Sequence, residues 1–180
     1  MLILVILIFS IIAYFFFTKE TYINMKSDCG LYFKVINDND AKQTANILAD
    51  INRKCNQLIK HIKHKYPDDD RIKILIDRYD NDDLVENRKE SFTINKGHKI
   101  HLCVRDHNDF YPDNLLMFIV LHELAHIITK KINHPVEFWD NNIWIMNEAY
   151  NCNVFKPVNY KLYPVNYCGI NININPYFNK

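Results

Sequence analysis

The spacing of apolar residues predicts a long amphipathic helix in the first half of the chain. Between Ala41 and Tyr66, apolar residues recur every three or four positions, at Leu48, Ile51, Cys55, Leu58 and Ile62. This period places them on one face of a helix, and basic residues surround the rest of it. Pro67 and the acidic run Asp68–Asp70 are expected to end the helix.

Alternating apolar and polar residues, or an enrichment in β-branched and aromatic residues, predict strands in the next part of the chain. The segments are Ile72–Asp77, Ser91–Ile94 and Lys99–Arg105. Residues 95–98 separate the last two segments, and Gly97 permits the tight turn of a hairpin there.

Two further helices are predicted in the second half. Asp113 is a candidate N-cap for the first, and Leu115–Leu121 is apolar on every side, as expected for a helix inside the core. Pro135 suits the first turn of the second helix. The last 25 residues are expected to be extended. If residues 163–169 fold back near a cleft, a tyrosine of this tail, at position 160, 163 or 167, could serve as a donor there, although packing is the simpler role.

Residues 1–17 form an uncharged apolar run, which as a helix would span about 25 Å. A signal peptide is the less favoured interpretation, because no basic residue precedes the run and Phe15–Lys19 is a poor cleavage site. A buried core helix is the third alternative. We therefore predict a single-pass membrane anchor, followed by a linker at residues 18–40 with a short strand near residues 31–36, and a domain at residues 41–180. Lysines 19 and 26 follow the run, which favours a cytosolic domain.

Composition narrows the class of protein. The chain has 180 residues, enough for one domain, and its 11 Phe, 11 Tyr and 2 Trp exclude general disorder. The net charge of +1 does not support nucleic acid as a partner. None of the five cysteines forms a C-x-x-C pair, and we expect them to be free thiols in a reducing compartment.

The strongest chemical signal is H-E-L-A-H at residues 122–126. On a helix, His122 and His126 lie one turn apart on the same face, so both imidazoles can coordinate one Zn²⁺ at about 2.0–2.1 Å. Glu123 is offset around the helix and can take a proton from a zinc-activated water without binding the metal. The motif follows seven apolar residues, where unpaired charge would be costly and metal binding would offset that cost.

A catalytic zinc needs a third protein ligand, and two residues are candidates. His134 lies eight residues after His126, and Glu148, in an N-E-A triplet, lies 22 residues after it. The second arrangement resembles the third ligand of thermolysin-like enzymes. Spacing alone does not choose between the two.

A resemblance favours His134. The H-E-L-A-H motif followed by H-P-V-E-F-W at residues 134–139 resembles the WLM metallopeptidases and, more distantly, the SprT-like ones. Residues 93–105 look like the hairpin before the WLM catalytic helix, and the resemblance covers about residues 45–150. It implies that His134 is the third ligand and that Phe138 and Trp139 pack behind the metal. The loop between His126 and His134 has seven residues, more than the five expected in this family.

The leading hypothesis is a membrane-anchored, zinc-dependent peptidase. Its expected fold is α+β and zincin-like, with a small mixed sheet, one Zn²⁺ on His122, His126 and His134, and Glu123 as general base. A protein or peptide substrate would lie extended along a sheet edge beside the catalytic helix. One alternative is a non-enzymatic membrane protein with a structural zinc site closed by a fourth ligand. The other is a protease of DNA–protein crosslinks, an activity associated with the WLM enzymes.

Overall fold

A five-stranded mixed sheet is the centre of the fold. The computed structural model describes residues 20–80, 83–94, 99–107 and 109–178. The strands of the sheet are β1 (Tyr22–Lys26), β2 (Tyr32–Ile36), β3 (Leu84–Asn87), β4 (Phe92–Ile94) and β5 (Lys99–Cys103). Their order is β1-β2-β3-β5-β4. The three inner strands are parallel, and each edge strand is antiparallel to its neighbour.

Four helices and two short strand pairs complete the described fold. The helices are α1 (Ala41–Lys65), α2 (Asp70–Arg78), α3 (Asp113–Ile128) and α4 (Val136–Asn151). Strands β6 (Arg105–Asp106) and β7 (Asp109–Phe110) form one pair, and β8 (Val165–Tyr167) and β9 (Ile170–Ile172) form the other. Helix α1 packs on β1, β2 and β3, whereas α3 packs on β4 and β5, and α4 packs on α3.

The core confirms the two clearest helix predictions. All five residues of the predicted apolar face of α1 are completely buried, and each side chain of this kind contributes about 1.5–3 kcal/mol when it leaves water. Leu116, Met117, Val120 and Leu121 of α3 are also completely buried. Leu124 and Ala125 of the H-E-L-A-H sequence are completely buried as well, so the helix stays in the core and His122 and His126 lie at its half-buried face. The helix begins one residue after Pro112, and Asp113, predicted as its N-cap, is instead its first residue and pairs with Lys54.

The predicted strand at Ile72–Asp77 is wrong, because these residues belong to helix α2. The side chain of Asp69 accepts a hydrogen bond from the backbone N–H of Arg71 and caps this helix. Ile72 and Leu75 lie three residues apart and are both buried, so the short apolar run satisfies a helical period as well as an alternating one.

The predicted linker at residues 18–40 is also wrong for its described part, which supplies β1 and β2. The short strand near residues 31–36 is confirmed as β2. Strand β3 was not predicted, because its short sequence contains a charged residue, Glu86. This side chain is nevertheless completely buried, and Arg105 donates a hydrogen bond to it at 2.9 Å. The predicted strand at Lys99–Arg105 ends at Cys103, because Arg105 turns into β6.

The expectation of five free thiols is wrong as well. Cys103 and Cys168 form a disulfide bond, whereas Cys29, Cys55 and Cys152 are free. The cysteines therefore give no support for a cytosolic domain.

Two predictions fall outside the described residues: the membrane anchor at residues 1–17 and the hairpin turn at residues 95–98. Within the described ranges, none of the helices has the length and apolar character needed to cross a membrane.

Candidate metal centre and cleft

Three imidazoles converge beside the C-terminal half of α3. The rings of His122 and His126 lie one helical turn apart, with centroids separated by 5.0 Å. His134 lies in the loop after α3, and its Nε2 is 3.1 Å from Nε2 of His122. One nitrogen from each ring lies within 4.8 Å of the others. Tetrahedral Zn²⁺ with Zn–N bonds of about 2.0–2.1 Å requires N···N separations of about 3.3 Å. The His122–His134 separation is close to this value, and three imidazoles are a donor set that suits this ion.

The loop between α3 and α4 brings His134 back to the helix. Asn133, directly before it, has a left-handed backbone with φ of 67°, a conformation that Asn tolerates better than most residues. The completely buried Phe138 packs against all three imidazoles, with centroid distances of 4.4–4.8 Å. Trp139 stacks on His134 at 5.4 Å. Phe138 therefore packs behind the site, as predicted, whereas Trp139 contacts His134 but is 40% exposed and borders a neighbouring cavity.

Burial keeps His122 and His126 neutral. Burial, with smaller contributions from charge repulsion by His126 and His134, lowers the pKa of His122 to about 3. Burial and His134 lower the pKa of His126 to about 4. Neutral imidazole is the form that binds a metal, so these side chains are ready to act as ligands at neutral pH.

Glu123 lies beside the imidazoles and is only 5% exposed. Burial raises the pKa of Glu123 to about 7, against the opposing effect of Thr93, whose hydroxyl donates to Glu123 Oε2 at 2.6 Å. A carboxyl group with this pKa can take up and release a proton near neutral pH. Thr93 lies on β4, so the sheet edge orients the carboxylate.

The histidines and Glu123 line a cleft of about 380 Å³. Its opposite wall is formed by Ser91, Phe92 and Thr93, at the start of edge strand β4, and its rim by residues 131–133 of the loop. Strand β4 pairs with β5 on one side only among the described residues. An extended peptide can therefore add to its other side. The sequence predicted a strand here but carried no signal that it would lie at the edge of the sheet and contact Glu123.

Glu148, the alternative third ligand, is engaged elsewhere. Its carboxylate lies 2.9 Å from His61 Nε2 and accepts hydrogen bonds of 2.9 Å from both Lys65 Nζ and Tyr66 Oη. Within the described residues it is not part of the histidine cluster. His61, on α1, is thus one of the partners of this buried carboxylate.

Two of the three tail tyrosines, Tyr160 and Tyr167, pack rather than offer a free donor. Tyr167 is buried, and its hydroxyl donates to the Cys103 carbonyl at 2.7 Å and contacts Ser91 Oγ at 2.7 Å. Tyr160 is buried against Phe118, whereas the side chain of Tyr163 is 69% exposed. The tail nevertheless folds back beside the cleft, because Tyr167 lines a cavity together with Glu123.

The chain is similar in sequence to viral proteins. It is 27% identical to uncharacterized protein R325 of Acanthamoeba polyphaga mimivirus over 91% of both chains. It is 38% identical to uncharacterized protein 042R of Invertebrate iridescent virus 3 over 94 residues, which cover 51% of this chain and 57% of the relative. A third match, 40% identical over 53 residues, is uncharacterized protein 136R of Invertebrate iridescent virus 6. No family model and no solved structure matches the chain.

Proposed function

We propose that this chain is a zinc-dependent peptidase with a zincin-like fold. The observation that carries the proposal is the convergence of His122, His126 and His134 beside the buried Glu123, in a cleft next to an edge strand. A peptidase needs these parts together: a metal centre, a proton acceptor and a surface that holds an extended chain. The resemblance of H-E-L-A-H and H-x-x-x-F-W to the WLM enzymes supports the same activity.

Each residue has a separate role in this proposal. The three histidines would hold one Zn²⁺, which when bound polarises the peptide carbonyl and makes water acidic enough to react at neutral pH. Glu123 takes the proton from the attacking water and delivers it to the leaving amine as the C–N bond breaks. Thr93 holds the carboxylate, and the free edge of β4 aligns the substrate backbone with it.

A structural zinc site is the competing interpretation. It would be closed by a fourth protein ligand. Among the described residues, the cluster has three members, and they face a cleft large enough for a substrate chain. The buried Glu123 also has no use in a structural site, whereas a hydrolase requires it. The proposal therefore places this chain among the enzymes, with a protein or peptide as its substrate.

Membrane attachment is part of the proposal. Residues 1–17 are long enough and apolar enough to act as an anchor in a thin membrane. An anchored peptidase would act on substrates at or near the bilayer.

Metal analysis of the full-length chain, combined with cleavage of an unstructured protein such as casein, tests the activity and its ligands. We expect one zinc per chain, loss of cleavage with a chelator, and recovery on adding one equivalent of zinc. His134→Ala should weaken zinc binding by more than the roughly 10–100-fold typical of an outer-shell change. The matched variant Glu148→Gln should keep its zinc.

The opposite result, with zinc lost in Glu148→Gln and kept in His134→Ala, would contradict this ligand set. Tightly held zinc in a protein whose casein cleavage does not respond to chelation would favour the structural site.

A further inference from the structure

A second cavity of about 310 Å³ adjoins the histidine cleft. The two share Ser91, His122 and Glu123, so the second cavity opens next to the candidate reaction centre. The rest of its wall is mainly apolar, and we call it the apolar pocket: it is lined by Phe118, Ile119, Trp139, Ile170, Ile172 and Ile174. Three isoleucines of this wall belong to the C-terminal tail, beyond the part of the chain that resembles a known family.

The tail is fixed in place, so the apolar pocket is preformed. The disulfide between Cys103 and Cys168 ties the turn before β9 to the end of β5. The Tyr167 hydroxyl donates to the Cys103 carbonyl at 2.7 Å, and the Cys168 backbone N–H donates to the Tyr111 hydroxyl at 2.7 Å. A preformed pocket loses little entropy when it takes up a ligand.

Large apolar side chains remain exposed around this pocket. Trp139 is 40% exposed, Ile170 is 57% exposed and Ile174 is 59% exposed. Apolar surface that converges on a cavity beside reactive groups is the usual form of a ligand site. These side chains would leave water if an apolar group entered the pocket, and that burial favours binding.

One buried polar group in the wall points to the chemistry of the ligand. Asn142 lines the apolar pocket and is 1% exposed, yet its Nδ2 has no hydrogen-bond partner among the described residues. A buried donor without a partner costs on the order of 1–3 kcal/mol. An occupant that carries an acceptor atom would remove this cost, provided the rest of the occupant is apolar.

We propose that the apolar pocket binds an aromatic side chain of the substrate, with tyrosine preferred to phenylalanine. The ring would pack against the isoleucines and Trp139, and the tyrosine oxygen would accept a hydrogen bond from Asn142. Because the pocket shares Glu123 with the cleft, the bound residue lies beside the scissile bond. This last point rests on the proposed peptidase function, whereas the binding preference can be measured without it.

The test measures binding to the full-length chain with Glu123→Gln, so that a substrate is not consumed. The probes are blocked alanine heptapeptides whose central residue is tyrosine, phenylalanine or alanine, and binding is followed by calorimetry. We expect the tyrosine peptide to bind tighter than the alanine peptide by on the order of 10-fold. Its advantage over the phenylalanine peptide should be roughly 3–10-fold, as for one hydrogen bond.

Three variants on that background locate the site. Ile170→Asp places a carboxylate in the pocket wall and should abolish the tyrosine preference over alanine. Leu162→Asp, at a 67% exposed position of the same tail that does not line the pocket, should leave it unchanged. Asn142→Leu should make the tyrosine and phenylalanine peptides bind equally.

Equal binding of the tyrosine and alanine peptides, or a preference that survives Ile170→Asp, would overturn the proposal. The wild-type chain gives a separate readout, because mass spectrometry of cleaved casein should find aromatic residues enriched on one side of the cut. If the tyrosine preference is lost in Ile170→Asp but the wild-type chain cleaves no casein, the result supports the pocket and counts against the peptidase activity. Cleavage without aromatic enrichment would count against the pocket alone.

Discussion

Two glutamates with similar solvent exposure have pKa values that move in opposite directions, because their surroundings differ. Glu123 is 5% exposed and Glu148 is 4% exposed. Burial raises the pKa of Glu123 to about 7, with only the Thr93 hydroxyl to oppose it. Burial alone would also raise the pKa of Glu148, but hydrogen bonds from Lys65, His61 and Tyr66 outweigh that effect and hold it below its ordinary value. Glu123 is therefore suited to proton transfer, and Glu148 to holding α1 and α4 together.

The ionised Glu148 should make stability depend on pH in acid. Its folded-state pKa is lowered, so the unfolded chain binds more protons as pH falls, and the stabilisation present above the ordinary pKa of 4.5 is lost below it. We expect Glu148→Gln to lower the free energy of unfolding at pH 7 by about 1–3 kcal/mol. The difference from wild type should shrink as pH falls below 4.5, as measured by urea denaturation. A difference that stays constant down to pH 3 would argue against an ionised Glu148.

The sequence predicts that His122 and His126 lie together, but it does not decide which residue joins them as the third member of the candidate metal site. The i, i+4 spacing of His122 and His126 is a local feature, and a helix is enough to place them together. The choice between His134 and Glu148 depends on contacts that no local pattern contains. Glu148 is held by residues 82 to 87 positions away, and His134 by the left-handed turn at Asn133.

Among the secondary-structure elements, the longest were the easiest to predict. Helix α1 has 25 residues and keeps its apolar period from Leu48 to Ile62, whereas the run at Ile72–Asp77 is too short for its period to decide between helix and strand. Strand β3 has four residues and carries Glu86, whose burial depends on Arg105. Tertiary ion pairing of this kind cannot be predicted from the strand itself.

The disulfide should stabilise the tail and the apolar pocket that it borders. It joins residues 65 positions apart, which in the chain-entropy account is worth about 4 kcal/mol of unfolding free energy. Cys168→Ser should therefore lower stability by up to that amount, measured by denaturant unfolding without reductant. Cys29→Ser, at an exposed free cysteine, should have little effect.

Thiol counting gives the direct check on this bond. The unfolded wild type should have three free thiols without reductant and five after reduction. Five free thiols in the unreduced protein would contradict the pairing of Cys103 with Cys168.

At the scale of the whole molecule, one sheet edge brings the functional parts together. Strand β4 borders the histidine cleft, α3 supplies Glu123 and two histidines, and the disulfide-linked tail closes the adjoining apolar pocket. The α+β class could be predicted from the helix and strand patterns. The position of the tail could not, because it depends on the pairing of Cys103 with Cys168 and on the Tyr167 hydrogen bonds, which join distant parts of the chain.

The apolar run at residues 1–17 should keep the whole protein on membranes. We expect the full-length chain to stay in the membrane fraction after carbonate washing, because transferring the run to water would expose its entire apolar surface. Intact-mass measurement should find an N-terminus at or near Met1. A mature chain that begins after Phe17 would instead identify the run as a cleaved signal peptide.

The activity of Glu123→Gln tests the central proposal most directly. Glutamine keeps the size of the side chain but cannot accept a proton at neutral pH, and the three histidines are unchanged. We predict unchanged zinc content and a fall in casein cleavage on the order of 10²–10⁴-fold, the usual contribution of a positioned general base. Wild-type cleavage by a zinc-loaded Glu123→Gln protein would contradict the assignment of this cleft as a peptidase active site.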